Sequence, residues 1–393
     1  MRIAVIGSKG LPPHQGGIEH HCAEVYPRMV EAGHRVDLYA RSSYNHNGRV
    51  RSYKGVNVIT VPSIQVKGID ALACSGIATF MALRKDYDIV HFHALGPSLF
   101  TLLPKFLSRA KVLTTCHGLD WQRAKWGALS SRVIKTGEQN AVRYADQVVV
   151  VSEALQAYFL KQYGLLTKYI ENAPVAYTAT DAQFCYGQEL GISQGKYLLF
   201  LGRLVPEKRI DLLLQAFQAL QPGNQLQDWK LVLVGDKSDT GPFTSQLLQL
   251  ADNNPNIIFT GELQGSLLAE IVRNAGLFVL PSDIEGLPLA LLEAMQEKIP
   301  VVVSDIPVHR QMIGHDRGLI FRAGDLANLQ TQLVQAISQP GKMKQMARNA
   351  AKYVERHHNW DNITNKYLSL YASLSESQPE TQRVPVSLGS KLP

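Results

Sequence analysis

The chain has 393 residues, too many for one ordinary core and about right for two α/β domains. Hydrophobic residues make up 45% and charged residues 19%, which fits a folded globular protein and excludes a disordered one. The formal charge of +7 is uneven: residues 1–175 carry 21 Lys+Arg against 12 Asp+Glu (+9), and the rest 19 against 21 (−2).

In chain order, Met1 to Gly7 begins a strand at once, with no n-region, h-region or cleavage site, so no signal peptide is expected. Further apolar, β-branched runs at 35–40, 56–61, 88–93, 111–117 and 147–151 have the continuous hydrophobicity of parallel strands covered on both faces. Helical periodicity fills Glu19–Ala32 and Ser130–Tyr144. The apolar run Ile69–Leu83 contains Asp70 and falls short of the roughly 18–20 residues of a membrane span. It reads as a buried helix, or else as a surface helix touching a membrane.

A second set of strands follows at 197–201, 230–234, 256–260, 277–280, 300–304 and 318–321, with helices at 209–220, 266–274 and 289–297. Two successive βα arrays predict an α/β protein of two Rossmann-like, doubly wound parallel-sheet domains, with ligands at the C-terminal ends of the strands. The expected boundaries are 1–174 for the first domain, 175–195 for a linker and 196–355 for the second domain. A last helix, 356–375, is expected to cross back to the first domain, its aromatics Trp360, Tyr367 and Tyr371 serving as packing. A tail at 376–393, rich in Ser, Gln and Pro, reads as disordered.

The four cysteines (Cys22, Cys74, Cys116, Cys185) share no metal-ligand spacing and read as separate, mostly buried thiols of a reducing compartment. The cytoplasm is the expected location. The basic first half fits an anionic partner such as a lipid surface or a phosphate-bearing acceptor, which would place the chain peripherally at the inner face of the membrane. A plain solvated basic surface accounts for the same excess. No nucleic-acid motif is present, and nucleic acid is not an expected partner.

Three segments hold candidate chemistry. After the first strand, Gly7 to Glu19 supplies Gly16 and Gly17 just before a helix, where backbone amides and the helix dipole favour an anion. Glu19 is placed to cap that helix or to meet a substrate hydroxyl, and His20 lies beside it. After the strand at 197–201 comes Gly202-Arg203-Leu204-Val205-Pro206-Glu207-Lys208-Arg209, whose Arg203 and Lys208 suit the two phosphates of a diphosphate. After the strand at 277–280, Glu285 stands on a loop and Glu293 eight residues on in a helix. The latter is a carboxylate in an apolar setting that needs donors such as ribose hydroxyls. The amides from Gly286, Leu287 and Pro288 to Leu289 lie at that helix entrance; those with an N–H can meet phosphate.

Together these segments resemble glycosyltransferase family 4, the group 1 glycosyl transferases of GT-B fold. Glu285…Glu293 is similar to its E-x7-E signature, Gly202-Arg203…Lys208 to its G-R-x-x-x-x-K motif, and Gly16-Gly17-x-Glu19 to its G-G-x-E loop. Cys116-His117-Gly118 matches the H-G strand end, and Val151-Ser152-Glu153 and Asn172-Ala173-Pro174-Val175 resemble further family segments, with Ala173 where glycine is usual. The likeness runs over roughly residues 1–375. It implies two domains facing across a cleft and a retaining, metal-independent transfer of a hexosyl or rhamnosyl group from a nucleotide-diphosphate sugar. No cofactor is implied, and the setting is bacterial surface polysaccharide or glycolipid synthesis.

By the resemblance, Arg203 and Lys208 hold the diphosphate, Glu293 the ribose and Glu285 a sugar hydroxyl, while Gly17 offers an amide to phosphate. His117 contacts the sugar or its reacting centre, and Glu19 and His20 face the acceptor side. The acceptor is a carbohydrate or a lipid-linked hydroxyl. Where the family often has Lys-Gly, this chain has Lys208-Arg209, a cation that either adds a phosphate contact or faces water.

Other patterns carry less. Asp86-Tyr87-Asp88 fits a D-x-D metal motif but precedes a strand, at the end away from ligands, and reads as a turn. His91 and His93 share one strand face without a further ligand nearby and read as buried or cleft-facing residues rather than a metal site. The pairs His20-His21 and His357-His358 are assigned no metal. Two other readings remain: an epimerase of the same fold acting on the nucleotide sugar, and a non-catalytic nucleotide-sugar binding protein. The first needs an acid–base pair, and the second would have lost Arg203, Lys208 or Glu293.

Overall fold

The computed structural model describes residues 1–13, 16–45, 49–63, 70–122, 126–177, 180, 183–221, 226, 228–235 and 241–376. The tail beyond Glu376, and Ile69 at the start of the apolar run, lie outside them. The chain divides into two compact units, Met1–Asn172 with Trp360–Pro393, and Ala173–Asn359.

In the first unit β1 (Arg2–Ile6), α1 (Gly17–Glu31), β2 (Arg35–Arg41), β3 (Ser52–Tyr53), β4 (Val56–Val61), α2 (Asp70–Ala82) and β5 (Ile89–His93) come first. They are followed by α3 (Leu102–Leu107), β6 (Lys111–Cys116), α4 (Ala128–Tyr144), β7 (Gln147–Val150), α5 (Glu153–Tyr163) and β8 (Lys168–Tyr169). The sheet order is β3-β4-β2-β1-β5-β6-β7-β8, parallel except for the short β3. The chain order reverses between β1 and β5, the switch point at which doubly wound sheets open a crevice.

Alternation along β5 decides what each sheet face is made of. Val90 and Phe92 turn to an apolar cluster with Cys74, Ala78 and Ala82 of α2. His91 and His93 turn the other way, toward Tyr26 on α1. The last helix of the chain, α14 (Trp360–Glu376), belongs to this unit and brings Tyr367 and Tyr371 to that same polar patch. α2 buries one stripe and leaves Phe80 56% exposed. No described helix is long and apolar enough to cross a membrane.

The second unit runs α6 (Cys185–Glu189), β9 (Tyr197–Leu201), α7 (Ile210–Leu220), β10 (Lys230–Val234), α8 (Gly241–Ala251), β11 (Ile257–Gly261), α9 (Gly265–Arg273), β12 (Leu277–Leu280) and α10 (Leu289–Gln296). β13 (Val301–Ser304), α11 (Pro307–Ile313), β14 (Leu319–Phe321), α12 (Leu326–Ser338) and α13 (Pro340–His357) complete it. Its strands, ordered β11-β10-β9-β12-β13-β14, are all parallel and switch between β9 and β12. A Cβ on Gly235, just past β10, would overlap the Gly202 carbonyl oxygen past β9, so only glycine lets the two strand ends lie this close.

Two stretches differ from the sequence expectation. Residues 175–195 belong with the second unit, where Phe184 is 3% exposed in its core and α6 packs on α9. The polar composition hides one buried aromatic that stacks on Tyr197. The last helix, expected over 356–375, starts later: at His358 the backbone leaves the helical region (φ −123°, ψ 82°), ending α13 before α14 starts at Trp360.

Candidate functional site

In the second unit the candidate residues gather at the switch point. β9 delivers Gly202, Arg203 and Lys208 on its C-terminal loop, while the neighbouring β12 delivers Glu285 on its loop and Glu293 in α10. The Asp283 amide donates to the Glu207 carbonyl (2.9 Å), fixing one loop to the other. Lys208 forms an ion pair with Glu285, and the Ser282 hydroxyl donates to Glu285 Oε1 (2.7 Å). Burial works against ionisation of Glu285, but Lys208, His309 and Ser282 together hold its carboxyl below the usual range. The cation read as a phosphate ligand therefore already has a carboxylate partner, which a diphosphate must share.

Glu293 is held differently. Tyr177 donates to its Oε2 (2.7 Å), and the Val175 amide adds a hydrogen bond. Burial still dominates and pushes its pKa up to about 7. Arg273 in turn donates to the Tyr177 carbonyl (3.1 Å) and pairs with Glu297 (3.1 Å). Gly286, Leu287 and Pro288 lead into α10, with Pro288 as its N-cap and the helix amides beyond.

Arg209 has carboxylate partners that the sequence does not reveal. It adopts the left-handed conformation (φ 51°, ψ 41°), and its guanidinium pairs with Asp211 (3.3 Å) and Asp283 (3.2 Å). Glycine suits that backbone best, which gives a physical reason for the family's Lys-Gly.

In the first unit, Gly16 is the N-cap of α1 with φ 102°, and both Gly16 and Gly17 are exposed. Glu19 neither caps the helix nor lies open to a substrate. It is 4% exposed, and its Oε1 accepts from the Lys9 amide (2.9 Å), bracing the glycine loop from behind. A buried carboxylate needs such a donor, and the loop amide is the one at hand. His20 is half-buried, and burial lowers its pKa against the pull of Glu19 and Glu24.

His117, at the end of β6, is half-buried and joins the histidines of β5: His93 Nδ1 lies 3.0 Å from His117 Nε2. His21, Tyr26, His91, Tyr367 and Tyr371 complete this cluster. Burial drives the pKa of His91 down to about 3 and of His21 to about 4, and pushes that of His93 well below its usual value.

Sequence reasoning did not single out Tyr177, Ser282 or His309 as partners of the carboxylates, nor Tyr26 as the partner of His91 and His93. His309 is fully buried, donates from Nδ1 to the Ser304 carbonyl (3.0 Å), and stands within electrostatic reach of Glu285. The only available signal was strand alternation, which places His91 and His93 together. Among the described residues no group of three or more His, Cys, Asp or Glu is placed to hold a metal ion. Cys22, Cys74 and Cys116 are buried and in no disulfide, and Cys185 is exposed.

Comparison with known proteins agrees with this fold. The model for Glycosyltransferase Family 4 matches residues 15–173, and that for Glycosyl transferases group 1 matches residues 187–353. The chain is similar to N-acetyl-alpha-D-glucosaminyl L-malate synthase of Bacillus anthracis, 25% identical over 91% of this chain and 94% of that one. Among solved structures it resembles sucrose-phosphate synthase from Thermosynechococcus elongatus, with a TM-score of 0.80, 20% identity and coverage of 95% and 98%. It also resembles Anabaena HepE in complex with UDP-glucose, with a TM-score of 0.78, 19% identity and coverage of 95% and 100%. These neighbours share the GT-B fold. With both family models matched in the expected order, the chain belongs to the family 4, group 1 glycosyltransferases.

Proposed function

We propose that the chain moves a sugar from a nucleotide-diphosphate sugar to a hydroxyl acceptor with retention of configuration, using side-chain cations in place of a metal. The observation that carries the reading is the convergence of Arg203, Lys208, Glu285 and Glu293 on adjoining strand ends at the switch point of the second unit. In the hard step the bond from the anomeric carbon to the diphosphate oxygen breaks, and positive charge grows on the sugar. Lys208 and Arg203 stabilise the departing diphosphate, as preorganised charge does in a site needing no reorganisation. Glu293 takes the ribose hydroxyls, and Glu285, fixed by Lys208 and Ser282, takes a sugar hydroxyl.

No protein nucleophile is assigned to the opposite sugar face. The acceptor oxygen attacks from the side of the leaving group, and a leaving phosphate oxygen accepts its proton. The first unit is read as the acceptor-binding one, with Gly17 offering an amide to phosphate and His117 and His20 as side chains it presents. Carbohydrate or lipid-linked acceptors, in bacterial surface polysaccharide or glycolipid synthesis, fit its basic charge; peripheral binding to an anionic membrane belongs to this proposal.

The test is a thermal-shift panel with UDP, GDP, TDP and ADP, each with and without EDTA. A ligand bound only by the native state raises the melting point according to its affinity and concentration. A shift with one nucleotide that survives EDTA supports the reading, as does release of nucleoside diphosphate only when acceptor is present. No shift with any nucleotide overturns the donor assignment, and a shift abolished by EDTA overturns metal independence. UDP is the first candidate, given the UDP-glucose complex of HepE.

A further inference from the structure

In the first unit α4 holds two loops at once. Asn140 donates to the Leu99 carbonyl in the loop after β5 (2.8 Å). A Cβ on Gly137 would overlap the Leu95 carbonyl oxygen, so only glycine lets the helix lie against that loop. On the loop after β6 the grip is through one residue, Trp121. The Ser131 hydroxyl donates to the Trp121 carbonyl (3.1 Å), and the Trp121 indole N–H donates to Glu138 Oε2 (2.8 Å). Trp121 is the middle of a single 3-10 turn, Asp120–Gln122, that follows His117 closely in the chain.

Glu138 is 0% exposed, and its two oxygens divide their donors by element. Lys135 of α4 (2.7 Å) and Tyr158 (2.8 Å) and Tyr163 (2.5 Å) of α5 all donate to Oε1. Burial and the Glu138 carboxylate push both phenols up, so each keeps its proton and donates. Lys135 is the counter-ion that a buried carboxylate needs, and its Nζ lies 4.4 Å from the centre of the Trp121 ring. Packing α4 on α5 therefore uses Oε1, while Oε2 is turned to the loop.

We infer that Glu138 and Trp121 are positioning residues for the ligand edge of the first unit, fixing the segment that carries His117 at the C-terminal end of β6. One end of that segment, Cys116, is held in the sheet, and the other, Trp121, is held to α4 by side chain and backbone. Only four residues lie between these two fixed points. Within them and just beyond, the Asp120 and Gln122 amides bond the Gly118 and Leu119 carbonyls (3.0 Å each), so fixing Trp121 fixes the turn. Ligands of a doubly wound sheet bind beside such strand ends. The bearing on turnover rests on the proposed place of His117 at the reacting sugar, whereas the anchoring does not.

The experiment is amide hydrogen exchange of the whole chain, comparing wild type with Trp121→Phe and Glu138→Gln. Trp121→Phe keeps an aromatic ring and removes the indole N–H, leaving the three bonds to Glu138 Oε1 in place. Exchange of the Asp120 and Gln122 amides is expected to rise about tenfold, with the amides of β6 and α4 as protected as before. Glu138→Gln is expected to do the same to the turn; should it fail to fold, Trp121→Phe still decides. Unchanged exchange at Asp120 and Gln122 in folded Trp121→Phe overturns the inference. In transfer assays the same variant is expected to lower kcat about tenfold, with KM for the nucleotide sugar within twofold. A loosened turn with wild-type kcat overturns instead the reading that puts His117 at the reaction, and leaves the anchor standing.

Discussion

The two units bury polar groups in opposite ways. The first gathers four imidazoles and three phenols behind β5 and β6, nearly all inaccessible, and burial keeps His21, His91 and His93 uncharged. The second sets cations against carboxylates at the ends of β9 and β12, half-buried, where Lys208 holds Glu285 ionised. A neutral, hydrogen-bonded network fixes geometry and tolerates burial, because no charge has to leave water. A half-buried ion pair keeps its charges ready for exchange, because a diphosphate can displace one carboxylate contact with stronger charge-assisted ones. The first arrangement suits orientation and the second suits charge stabilisation.

The largest expected effect tests the charged side of this contrast. Lys208→Ala removes a cation aimed at the departing diphosphate and should lower kcat about 10²- to 10³-fold in a folded protein. Steady-state kinetics with a circular-dichroism check on folding measure it. Near-normal turnover would reduce the Lys208–Glu285 pair to a structural contact.

The next effect tests the neutral side. His21 and His91 have folded pKa values of about 4 and about 3, below the usual 6.5 of the unfolded chain. The unfolded state therefore binds the extra protons as pH falls below 6.5, and stability present at neutral pH is lost toward acid. Each such histidine contributes a slope of about 1.4 kcal/mol per pH unit between its two pKa values. Imidazole NMR titration should show neither ring charging above pH 5. A ring that titrates near 6.5 in the folded protein would end the description of this cluster as a neutral core.

Much of the charged side is legible in the sequence, and little of the neutral side is. Arg203, Lys208, Glu285 and Glu293 stand close to strand ends in the chain, so short-range spacing places them on the ligand edge of a parallel sheet. Their partners come from farther away. Tyr177 reaches Glu293 across 116 positions, and Tyr371 reaches His91 across 280. Such pairings depend on how helices return to a sheet, which periodicity does not encode. Strand alternation places His91 and His93 on one face but cannot say what covers that face. Glu19 shows the complementary error, since a polar residue beside a glycine loop reads as ligand-facing until burial shows it bracing the loop.

Glu293 lies between the two regimes and sharpens the comparison. Burial raises its pKa to about 7, so it changes charge within the working range. If the ionised form accepts the ribose hydroxyls, nucleotide affinity should rise about tenfold from pH 6 to pH 8, the change in ionised fraction for that pKa. Folding has the opposite sign: ionising a carboxyl whose folded pKa is raised costs stability as pH climbs from 4.5 through 7. Calorimetry with UDP on wild type and Glu293→Gln separates this group from ionisation of the ligand's own phosphate. Parallel pH profiles in the two proteins would remove Glu293 from the ribose site.

The smallest effect concerns Arg209, where backbone and side chain pull in opposite directions. Its left-handed conformation costs roughly 1–2 kcal/mol for a residue with a Cβ. The pairs with Asp211 and Asp283, both partly exposed, return about 0–1 kcal/mol. Arg209→Gly relieves the first and loses the second, while glycine adds the entropy of a looser unfolded chain, about 0.5–1 kcal/mol. The three nearly cancel, so the melting point should move by no more than about 2 °C. Activity distinguishes the roles that stability does not. If Arg209 only ties the β9 loop to Asp283, donor KM stays within about twofold, because the Asp283 amide still bonds the Glu207 carbonyl. A tenfold rise in KM for the nucleotide sugar at unchanged stability would instead make Arg209 a third cation on the diphosphate, extending the charged site by one residue.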